Sequence, residues 1–406
     1  MGTRESLVIV GGGQAGAWAA KTLRQQGFDG RLTLVGAEAH PPYERPPLSK
    51  QLLLGQSEIE AAYVFPPQSY EDWGVELRLH TTVESLAPTR SRIVFGDKEE
   101  MPYDKLLLAT GGRPCKLQLT GAELPNVFYL RSVNDALALR KALTAPARVL
   151  VLGGGWIGLE VAAAARKLGA AVTVVEAASR LCARAAPPEV SKLLLELHCS
   201  HEVDIRLNTT VTALEGHGRV ERAQLSDGQT LDITAVVIGV GIVPVTDLAE
   251  AAGLAVDNGI VANSNLQTSI ASIYAAGDVA NFRDSYGRRT RLESWDNAQR
   301  QGIAAGKAML GQTIAMDRYP WFWSDQYGQN VQMVGSVIES EDRVELPATN
   351  ASRIILYLRG AQVTGAVGIN AGRDIRLIKR QLESGPPIDA YAIAKSGLPL
   401  QEAIKI

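Results

Sequence analysis

Residues 7–16 read LVIVGGGQAG, an apolar strand pattern that runs directly into a glycine-rich turn. A helical run, Ala17–Gln26, and a second strand pattern, Arg31–Val35, follow it. In such a unit the first glycine permits a tight turn, the second lets the backbone approach a pyrophosphate, and the third lets the helix pack on the strand. We therefore predict a dinucleotide-binding unit whose cofactor contacts are Gly11, Gly13, Gln14, Ala15 and Gly16.

The same arrangement occurs a second time. Residues 148–158 read RVLVLGGGWIG, and a helical run, Leu159–Leu168, and a strand pattern, Ala171–Val175, come after them. One such pattern is weak evidence, but two copies, each between a strand and a helix, are hard to attribute to chance. We predict the α/β fold class with two Rossmann-like dinucleotide-binding domains. The second set of cofactor contacts is Gly153, Gly155, Trp156, Ile157 and Gly158.

An acidic residue normally ends the second strand of such a unit, where it accepts hydrogen bonds from the adenosine ribose. Glu176 holds this position in the second unit, 23 residues after Gly153. Its charge repels a 2′-phosphate, so NADH is favoured over NADPH, and the nearby Arg184 partly offsets this preference. In the first unit Ala37 stands at that position and Glu38 follows. Either Glu38 or solvent then meets the ribose.

Size and composition exclude several classes of protein. The 406 residues are too many for one compact core and suit two or three domains. A formal net charge of −2 offers no global attraction to nucleic acid or to an anionic membrane. The three scattered cysteines form no local redox pair and cannot ligate a four-cysteine cluster, and they are typical of reduced thiols in a cytoplasmic protein. We expect neither a signal peptide nor a membrane span.

Further apolar runs and the segments that follow them predict the domain boundaries. Lys105–Leu108 leads into Ala109-Thr110-Gly111, and Ala235–Ile238 leads into Gly239-Val240-Gly241. After Pro320 the pattern changes to antiparallel strands and a helix, Asp374–Leu382. We predict a first nucleotide-binding domain at 1–112 and 245–319, a second at 113–244, and a C-terminal α+β domain at 320–406.

Residues 268–278, TSIASIYAAGD, resemble the second flavin motif of two-dinucleotide-binding flavoproteins. In that superfamily the aspartate binds a ribityl hydroxyl of FAD and the neighbouring backbone approaches the pyrophosphate, which implies these roles for Asp278 and Gly277. The N-terminal fingerprint of the superfamily binds FAD and the internal one binds the nicotinamide cofactor. Ala109-Thr110-Gly111 also matches a superfamily motif, at the crossover between domains. The resemblance therefore implies FAD and NADH as cofactors.

Four more segments narrow the resemblance to one family. They are YERPPLSK at 43–50, ESWDNAQ at 293–299, PWFWSDQ at 320–326 and NAGRD at 370–374. Together they resemble NADH-dependent ferredoxin reductases of bacterial oxygenase systems, in particular the reductase components of aromatic-ring-hydroxylating dioxygenases of the phenylpropionate and biphenyl type. The resemblance covers essentially the whole chain. It implies the fold of glutathione reductase with a C-terminal α+β domain.

The resemblance also implies a catalytic pair. Lys50 would lie near flavin N5 and pair with Glu160, and the lysine would stabilise negative charge on the reduced flavin. Glu160 would orient the carboxamide of the nicotinamide. A favourable first-turn carboxylate at a helix N-terminus is the alternative interpretation of Glu160.

Five further residues are candidates for cofactor contacts. Arg45 and Arg131 would contact the phosphates or adenine of FAD, with solvated surface arginines as the alternative. Trp295 would contact the isoalloxazine, with core packing as the alternative. Val83 and Gly241 complete the set.

The resemblance implies a ferredoxin of the Rieske type as the partner, because the chain carries no cluster of its own. The partner would bring a [2Fe-2S] centre and accept electrons singly. Four basic residues of the predicted C-terminal helix are spaced i, i+3, i+6 and i+7 and form a candidate docking face for an acidic ferredoxin. They are Arg373, Arg376, Lys379 and Arg380. A solvated helix face is the alternative interpretation of this run.

Two other functions stay open at this point. A monodehydroascorbate-type reductase needs no cysteine and fits the same motifs, whereas disulfide reductases need a cysteine pair that is absent here. A flavin-bearing signalling or DNA-binding protein that resembles apoptosis-inducing factor shares the segment Pro46–Lys50. The net charge of −2 argues against nucleic acid as a partner.

Overall fold

A computed structural model describes residues 5–144, 146–283, 287–314, 319–338, 340, 342–346, 352–398 and 400–404. The chain divides into two compact units, each made of three segments. The first unit contains Met1–Arg45, Glu58–Arg113 and Ile242–Arg318. The second contains Pro46–Ser57, Pro114–Gly241 and Tyr319–Ile406. This division into two units does not test the boundaries of the three domains expected from the sequence, which remain a prediction.

The described helices share the short lengths typical of α/β proteins. They are α1 Gln14–Gln25, α2 Pro67–Asp72, α3 Val133–Ala142, α4 Trp156–Lys167, α5 Pro188–Ser200, α6 Asp247–Ala251, α7 Trp295–Met309, α8 Gly372–Ser384, α9 Ala390–Ser396 and α10 Leu400–Ala403. Single 3₁₀ turns cover Pro46–Ser49, Ile59–Ala62 and Pro88–Arg90.

A five-stranded parallel sheet forms the centre of the first unit. Its strands lie in the spatial order Ile273–Ala275, Lys105–Leu108, Ser6–Val10, Arg31–Val35 and Glu76–Arg78. The central strands carry runs of consecutive buried residues, as expected for a parallel sheet that is covered on both faces. The sheet therefore brings the carboxyl ends of the first fingerprint strand and of the flavin-motif strand to one edge.

Helices α1 and α7 pack closely against each other in this unit. A Cβ atom at Gly302 would lie inside van der Waals contact of the Ala15 carbonyl oxygen, and one at Gly306 would lie 3.0 Å from the Ala19 carbonyl oxygen. Larger residues at these two positions would push the helices apart. The close approach brings Gln301 of α7 to the backbone of the flavin motif.

The second unit contains a parallel sheet of the same design and an antiparallel C-terminal sheet. The parallel strands lie in the order Asp204–Arg206, Ala171–Val175, Arg148–Leu152, Ala235–Ile238 and Val127–Phe128. The C-terminal strands lie in the order Trp321–Gln326, Gln329–Gly335, Gln362–Ile369, Arg353–Arg359 and Asp342–Glu345. One apolar core includes residues of α4, of the parallel sheet and of the C-terminal sheet, among them Val161, Val174 and Val367. This shared core explains why the two sheets form one compact unit.

Short sheets and strand pairs complete the described structure. They are formed by Val83–Ala87, Arg92–Phe95 and Glu100–Pro102; by Val211–Glu215, Arg222–Leu225 and Thr230–Asp232; by Ile260–Val261, Ala280–Arg283 and Arg289–Thr290; and by Gly112–Pro114 and Ile242–Pro244. No helix of the described residues combines the length and apolar character needed to cross a membrane.

Candidate functional site

The first fingerprint forms a sharp turn between its strand and α1. Gly11 has φ +129°, which favours glycine, and its N–H donates to the Val35 carbonyl oxygen at 2.8 Å. A Cβ atom at Gly16 would lie inside van der Waals contact of the Gly11 carbonyl oxygen. Gly13 is the N-cap of α1, and neither a side-chain cap nor an acidic residue satisfies the first turn. The first N–H groups of this helix are therefore available to an anion.

The second glycine of each GxGxxG pattern, Gly13 or Gly155, shows whether there is room for a dinucleotide. A Cβ atom at Gly13 would meet no described atom within 4 Å, and one at Gly155 would meet only the Gly239 carbonyl oxygen at 4.0 Å. Protein packing does not require glycine at either position. Open space beside uncapped helix N-termini is what a pyrophosphate needs, so the residues present fit the two cofactors.

The second fingerprint repeats this turn and adds a fixed carboxylate. Gly153 has φ +103°, its N–H donates to the Val175 carbonyl oxygen at 2.8 Å, and Gly155 is the N-cap of α4 without a side-chain cap. The Glu176 carboxylate accepts hydrogen bonds from the Gly154 N–H and the Ala178 N–H, both at 2.7 Å. Glu176 is therefore held at the turn by backbone donors, in the position expected of a ribose ligand.

Two arginines near Glu176 have different surroundings. The Arg180 guanidinium donates to the Ala186 and Ala183 carbonyl oxygens, each at 2.7 Å, so it holds its own loop together. Arg184 is exposed and donates to the Val240 carbonyl oxygen at 3.3 Å, beside Gly241. Gly241 has φ +114° and follows the strand Ala235–Ile238. Arg184 therefore lies at the carboxyl end of the parallel sheet, where a cofactor binds in this class of fold.

The flavin motif lies at the end of a buried strand in the first unit. Gly277 has φ +83°, and its N–H donates to the buried Gln301 side chain at 2.8 Å. Asp278 follows it and is half-buried, and its carbonyl oxygen accepts a hydrogen bond from Arg291 at 3.2 Å. A second helix thus fixes the backbone of this motif, which leaves Asp278 in a constrained place next to Gly277.

Glu38 belongs to a polar cluster that the sequence did not predict. Its carboxylate accepts from the Tyr43 hydroxyl at 2.5 Å and from the Arg45 guanidinium at 2.9 Å. Burial acts to lower the pKa of Arg45, but electrostatic interactions with Tyr43, Glu38 and Asp278 raise it overall. Arg45 is therefore a charged group in the neighbourhood of both Glu38 and Asp278.

Trp295, at the first position of α7, also lies with the first fingerprint. With its amide oxygen toward the indoles, Gln14 accepts from Trp295 Nε1 at 3.2 Å and from Trp18 Nε1 at 3.3 Å. Burial raises the pKa of the Glu44 carboxyl, and a hydrogen bond with Trp295 acts in the opposite direction. Trp295 is thus connected to the fingerprint helix and to the YERPPLSK segment.

The remaining predicted contacts fall in both units. Thr110 donates its hydroxyl to the Val245 carbonyl oxygen at 2.7 Å, between Ala109 and Gly111 in the first unit. The side chain of Val83 is buried in a core, so only its backbone can face a ligand. Arg131 belongs to the second unit, where its N–H donates to Asp135 Oδ2 at 3.1 Å just before α3.

Lys50 and Glu160 form a buried ion pair within the second unit. Lys50 Nζ lies 2.6 Å from Glu160 Oε2, and the side chains are 14% and 4% exposed. Ser49 donates its hydroxyl to the same oxygen at 2.5 Å, and Ser324 donates to Glu160 Oε1 at 2.6 Å. Three donors therefore surround one buried carboxylate, which is what keeps an ionised group stable away from water.

The structure corrects the helical position of Glu160. Helix α4 begins at Trp156, so Glu160 is its fifth residue and no acidic residue lies in the first turn. The alternative interpretation as a first-turn carboxylate is therefore wrong. Ser49 and Ser324 were missed because hydroxyl residues far apart in sequence carry no local signal of a shared partner.

The basic face of α8 is smaller than predicted. Arg373, Arg376 and Arg380 are exposed, but the Lys379 side chain is 12% exposed and lies 4.0 Å from Glu383. Lys379 follows the buried Ile375 by four residues, so it lies on the flank of the buried face. Its inclusion in an exposed docking face was wrong.

Comparison with known proteins agrees with this geometry. A family model described as pyridine nucleotide-disulphide oxidoreductase matches residues 5–302, and a reductase C-terminal model matches residues 321–404. The chain is 38% identical over 379 residues to the 3-phenylpropionate/cinnamic acid dioxygenase ferredoxin–NAD(+) reductase component of Photorhabdus laumondii, covering 93% of this chain and 96% of that one. It is 36% identical over 413 residues to putidaredoxin reductase of Pseudomonas putida, covering 100% and 98%.

A solved structure supports the same assignment. The crystal structure of the covalent putidaredoxin reductase–putidaredoxin complex matches with a TM-score of 0.94 and 35% identity, over 99% of this chain and 98% of that one. The predicted family and the glutathione-reductase-like fold are confirmed. This chain therefore belongs to the pyridine nucleotide-disulphide oxidoreductase family and, within it, to the ferredoxin–NAD(+) reductases.

Proposed function

We propose that this protein is an FAD-dependent NADH:ferredoxin oxidoreductase that feeds electrons to an aromatic-ring dioxygenase. The observation that carries the proposal is the pair of uncapped fingerprint helices, each with a middle glycine that faces open space. A relative named as the ferredoxin–NAD(+) reductase component of a dioxygenase supports the reaction. The three cysteines are free thiols, which supports a cytoplasmic location.

The first unit would hold FAD. The N–H groups at the start of α1 would bind its pyrophosphate, and the Asp278 carboxylate would accept a hydrogen bond from a ribityl hydroxyl. Arg45 would face its phosphates or adenine, and Glu38 takes part through its ion pair with Arg45. Trp295, joined to Gln14, would line the isoalloxazine.

The second unit would hold NADH. The start of α4 would bind its pyrophosphate, and the Glu176 carboxylate would accept hydrogen bonds from the adenosine ribose hydroxyls. Arg184 would lie beside the bound cofactor. FAD would supply the redox chemistry, as a group that can take a hydride and release electrons singly. Glu160 would orient the nicotinamide carboxamide. Lys50, fixed by Glu160, would stabilise the negative charge gained by the cofactor on reduction.

The electron acceptor would be a [2Fe-2S] ferredoxin, of the Rieske type if the downstream enzyme is a ring-hydroxylating dioxygenase. A complex of putidaredoxin reductase with putidaredoxin supports this class of partner. Arg373, Arg376 and Arg380 of α8 would attract an acidic ferredoxin.

Anaerobic titration tests the function as a whole. The purified yellow protein should be bleached by one equivalent of NADH and reoxidised by an oxidised ferredoxin of a dioxygenase system. The alternatives have their own outcomes: faster reduction of ascorbyl radical than of ferredoxin favours a monodehydroascorbate-type reductase, and a gel-shift at physiological salt favours a DNA-binding protein. A flavin that NADH cannot bleach would refute the proposal.

Replacing Glu176 should change the choice of nicotinamide cofactor. Glu176→Gln keeps an acceptor for the Gly154 N–H but removes the charge that repels a 2′-phosphate. We expect the ratio of kcat/KM for NADH to that for NADPH to fall about tenfold or more, since one lost charged hydrogen bond contributes about 1.5–3 kcal/mol. Steady-state ferricyanide reduction measures both values. An unchanged ratio would remove Glu176 from the site.

Charge reversal on α8 should slow only the reaction with the protein partner. In the double variant Arg376→Glu, Arg380→Glu, we expect ferredoxin reduction at low salt to slow roughly tenfold or more, because electrostatic steering raises association rates by this order. Ferricyanide reduction should not change. The control is Lys192→Glu on α5, which reverses a lysine whose side chain is 78% exposed in the same unit. An equal loss in both assays, or an equal loss in the control, would contradict the docking face.

A further inference from the structure

The buried Glu160 carboxylate is the end point of a chain of hydrogen bonds that crosses three elements of the second unit. Ser324 donates to Glu160 Oε1 at 2.6 Å, and the Gln326 amide nitrogen donates to the Ser324 hydroxyl at 3.1 Å. The Gln326 amide oxygen lies 2.7 Å from His198 Nε2. Ser324 and Gln326 lie two residues apart on one strand and so face the same side, whereas His198 belongs to α5.

The chemistry of these groups gives the chain one direction. An ionised carboxylate can only accept, so the Ser324 hydroxyl must donate its proton to Glu160. The Ser324 oxygen is then an acceptor for the Gln326 amide nitrogen. This orientation leaves the Gln326 amide oxygen facing His198, which must carry its proton on Nε2. Every donor in the chain therefore points toward Glu160.

His198 is suited to the far end of this chain. It is fully buried, and burial lowers its pKa, with the Gln326 hydrogen bond acting in the opposite direction and His201 acting with burial. Its Nδ1 atom has no hydrogen-bond partner among the described residues. A neutral imidazole with its proton on Nε2 is the state that fits both observations, and the Tyr327 ring packs edge-on against it at 5.2 Å.

Other charged and titratable groups around Glu160 do not compete for Oε1. Lys50 and Ser49 both meet Oε2. The Cys182 thiol is buried, and burial together with the charges of Glu176 and Glu160 raises its pKa to about 12, so it stays neutral. Among the described contacts, Ser324 is thus the group that fixes Oε1, and through the carboxylate plane it also fixes the oxygen that Lys50 meets.

We propose that Ser324, Gln326 and His198 are positioning residues that lock the orientation of Glu160 and thereby the place of the Lys50 ammonium group. The relevance for hydride transfer rests on the proposed function. The three residues act through the Glu160 carboxylate. The hydrogen bonds from His198 to Glu160 all run in one direction and so define a single geometry for the carboxylate, and small errors of position at a reacting centre reduce rate strongly.

Infrared spectroscopy of the oxidised holoprotein tests the network without turnover. The carboxylate band of Glu160 is identified as the band lost in Glu160→Gln. We expect this band to shift in Ser324→Ala, to shift less and in the same direction in Gln326→Met, and to shift least in His198→Phe. Ser324→Thr keeps the hydroxyl, so the carboxylate band should stay at its wild-type position. The matched control is Gln332→Met, another buried glutamine of the same sheet that binds Trp321 instead.

Single-turnover flavin reduction gives the second readout. We expect the rate constant at saturating NADH to fall about tenfold in Gln326→Met, with a change of less than about twofold in the Kd for NADH, because orientation and not binding is lost. A shifted band with an unchanged rate constant would overturn the positioning role. A band that does not move in Gln326→Met, or that moves equally in Gln332→Met, would overturn the network itself. Neither result bears on whether NADH reduces the wild-type flavin, which tests the proposed function separately.

Discussion

Glu160→Ala is expected to lower the free energy of unfolding by about 3–5 kcal/mol, because it leaves the Lys50 ammonium in a buried position without its partner. The pair is well placed for a large effect: the nitrogen and oxygen are 2.6 Å apart and the side chains are only 14% and 4% exposed. The hydroxyls of Ser49 and Ser324 also lose their acceptor. Urea denaturation followed by tryptophan fluorescence measures the loss, and NADH-dependent flavin reduction should slow by about a hundredfold in the protein that remains folded.

A double variant separates stability from chemistry. Lys50→Met, Glu160→Leu removes both charges and fills a similar volume, so it should regain roughly half or more of the stability lost in Glu160→Ala. Flavin reduction should stay as slow as in the single variant, since the charged pair is still missing. If the double variant recovers both properties, the pair has a structural role only. If Glu160→Ala is as stable as the wild type, the pair is not buried as the structure has it.

Local patterns were sufficient for most of the fold. The parallel strands Arg31–Val35, Lys105–Leu108, Arg148–Leu152 and Ala171–Val175 have the bounds that their apolar runs predict. The two fingerprint helices begin three residues earlier than predicted, at Gln14 and Trp156. The usual signal for a helix start is a capping side chain, and these helices have none because their first N–H groups are left for a ligand. The error in the predicted helix starts therefore lies at the N–H groups that would bind the cofactors.

The candidate site was less accessible to sequence reasoning. Glycine spacing and the strand-end Glu176 follow local rules, and both lie where those rules place them. The partners of Glu38 and Glu160 come from other elements: Tyr43 and Arg45 from a loop, and Ser324 from a strand 164 residues away. Hydroxyl groups are common on strands and have no periodic signature. Which hydroxyl group lies next to a carboxylate is therefore visible only in the folded structure.

The second large effect is expected from a pair of glycines three residues apart. Gly13→Ala should reduce FAD affinity about ten- to hundredfold, because the new methyl group would enter the space that the pyrophosphate needs and overpacking costs about 1–3 kcal/mol. The same methyl group meets no described atom within 4 Å, so the free energy of unfolding of the apoprotein should change by less than about 1 kcal/mol. The FAD content per chain after gel filtration, and a flavin-fluorescence titration of the apoprotein, measure the effect.

Gly16→Ala should behave in the opposite way. Its Cβ atom would overlap the Gly11 carbonyl oxygen and approach Ile9 Cγ2 at 3.3 Å, so α1 must move off its strand and the apoprotein itself should lose stability by about 1–3 kcal/mol or more. Gly155→Ala is the matched control in the second unit, because its Cβ atom also faces open space. It should keep its FAD and instead raise the Kd for NADH. Packing within the protein gives no other reason for glycine at position 13 or 155. The assignment of the two cofactors to the two fingerprints is therefore wrong if Gly13→Ala retains FAD as the wild type does, or if Gly155→Ala loses FAD.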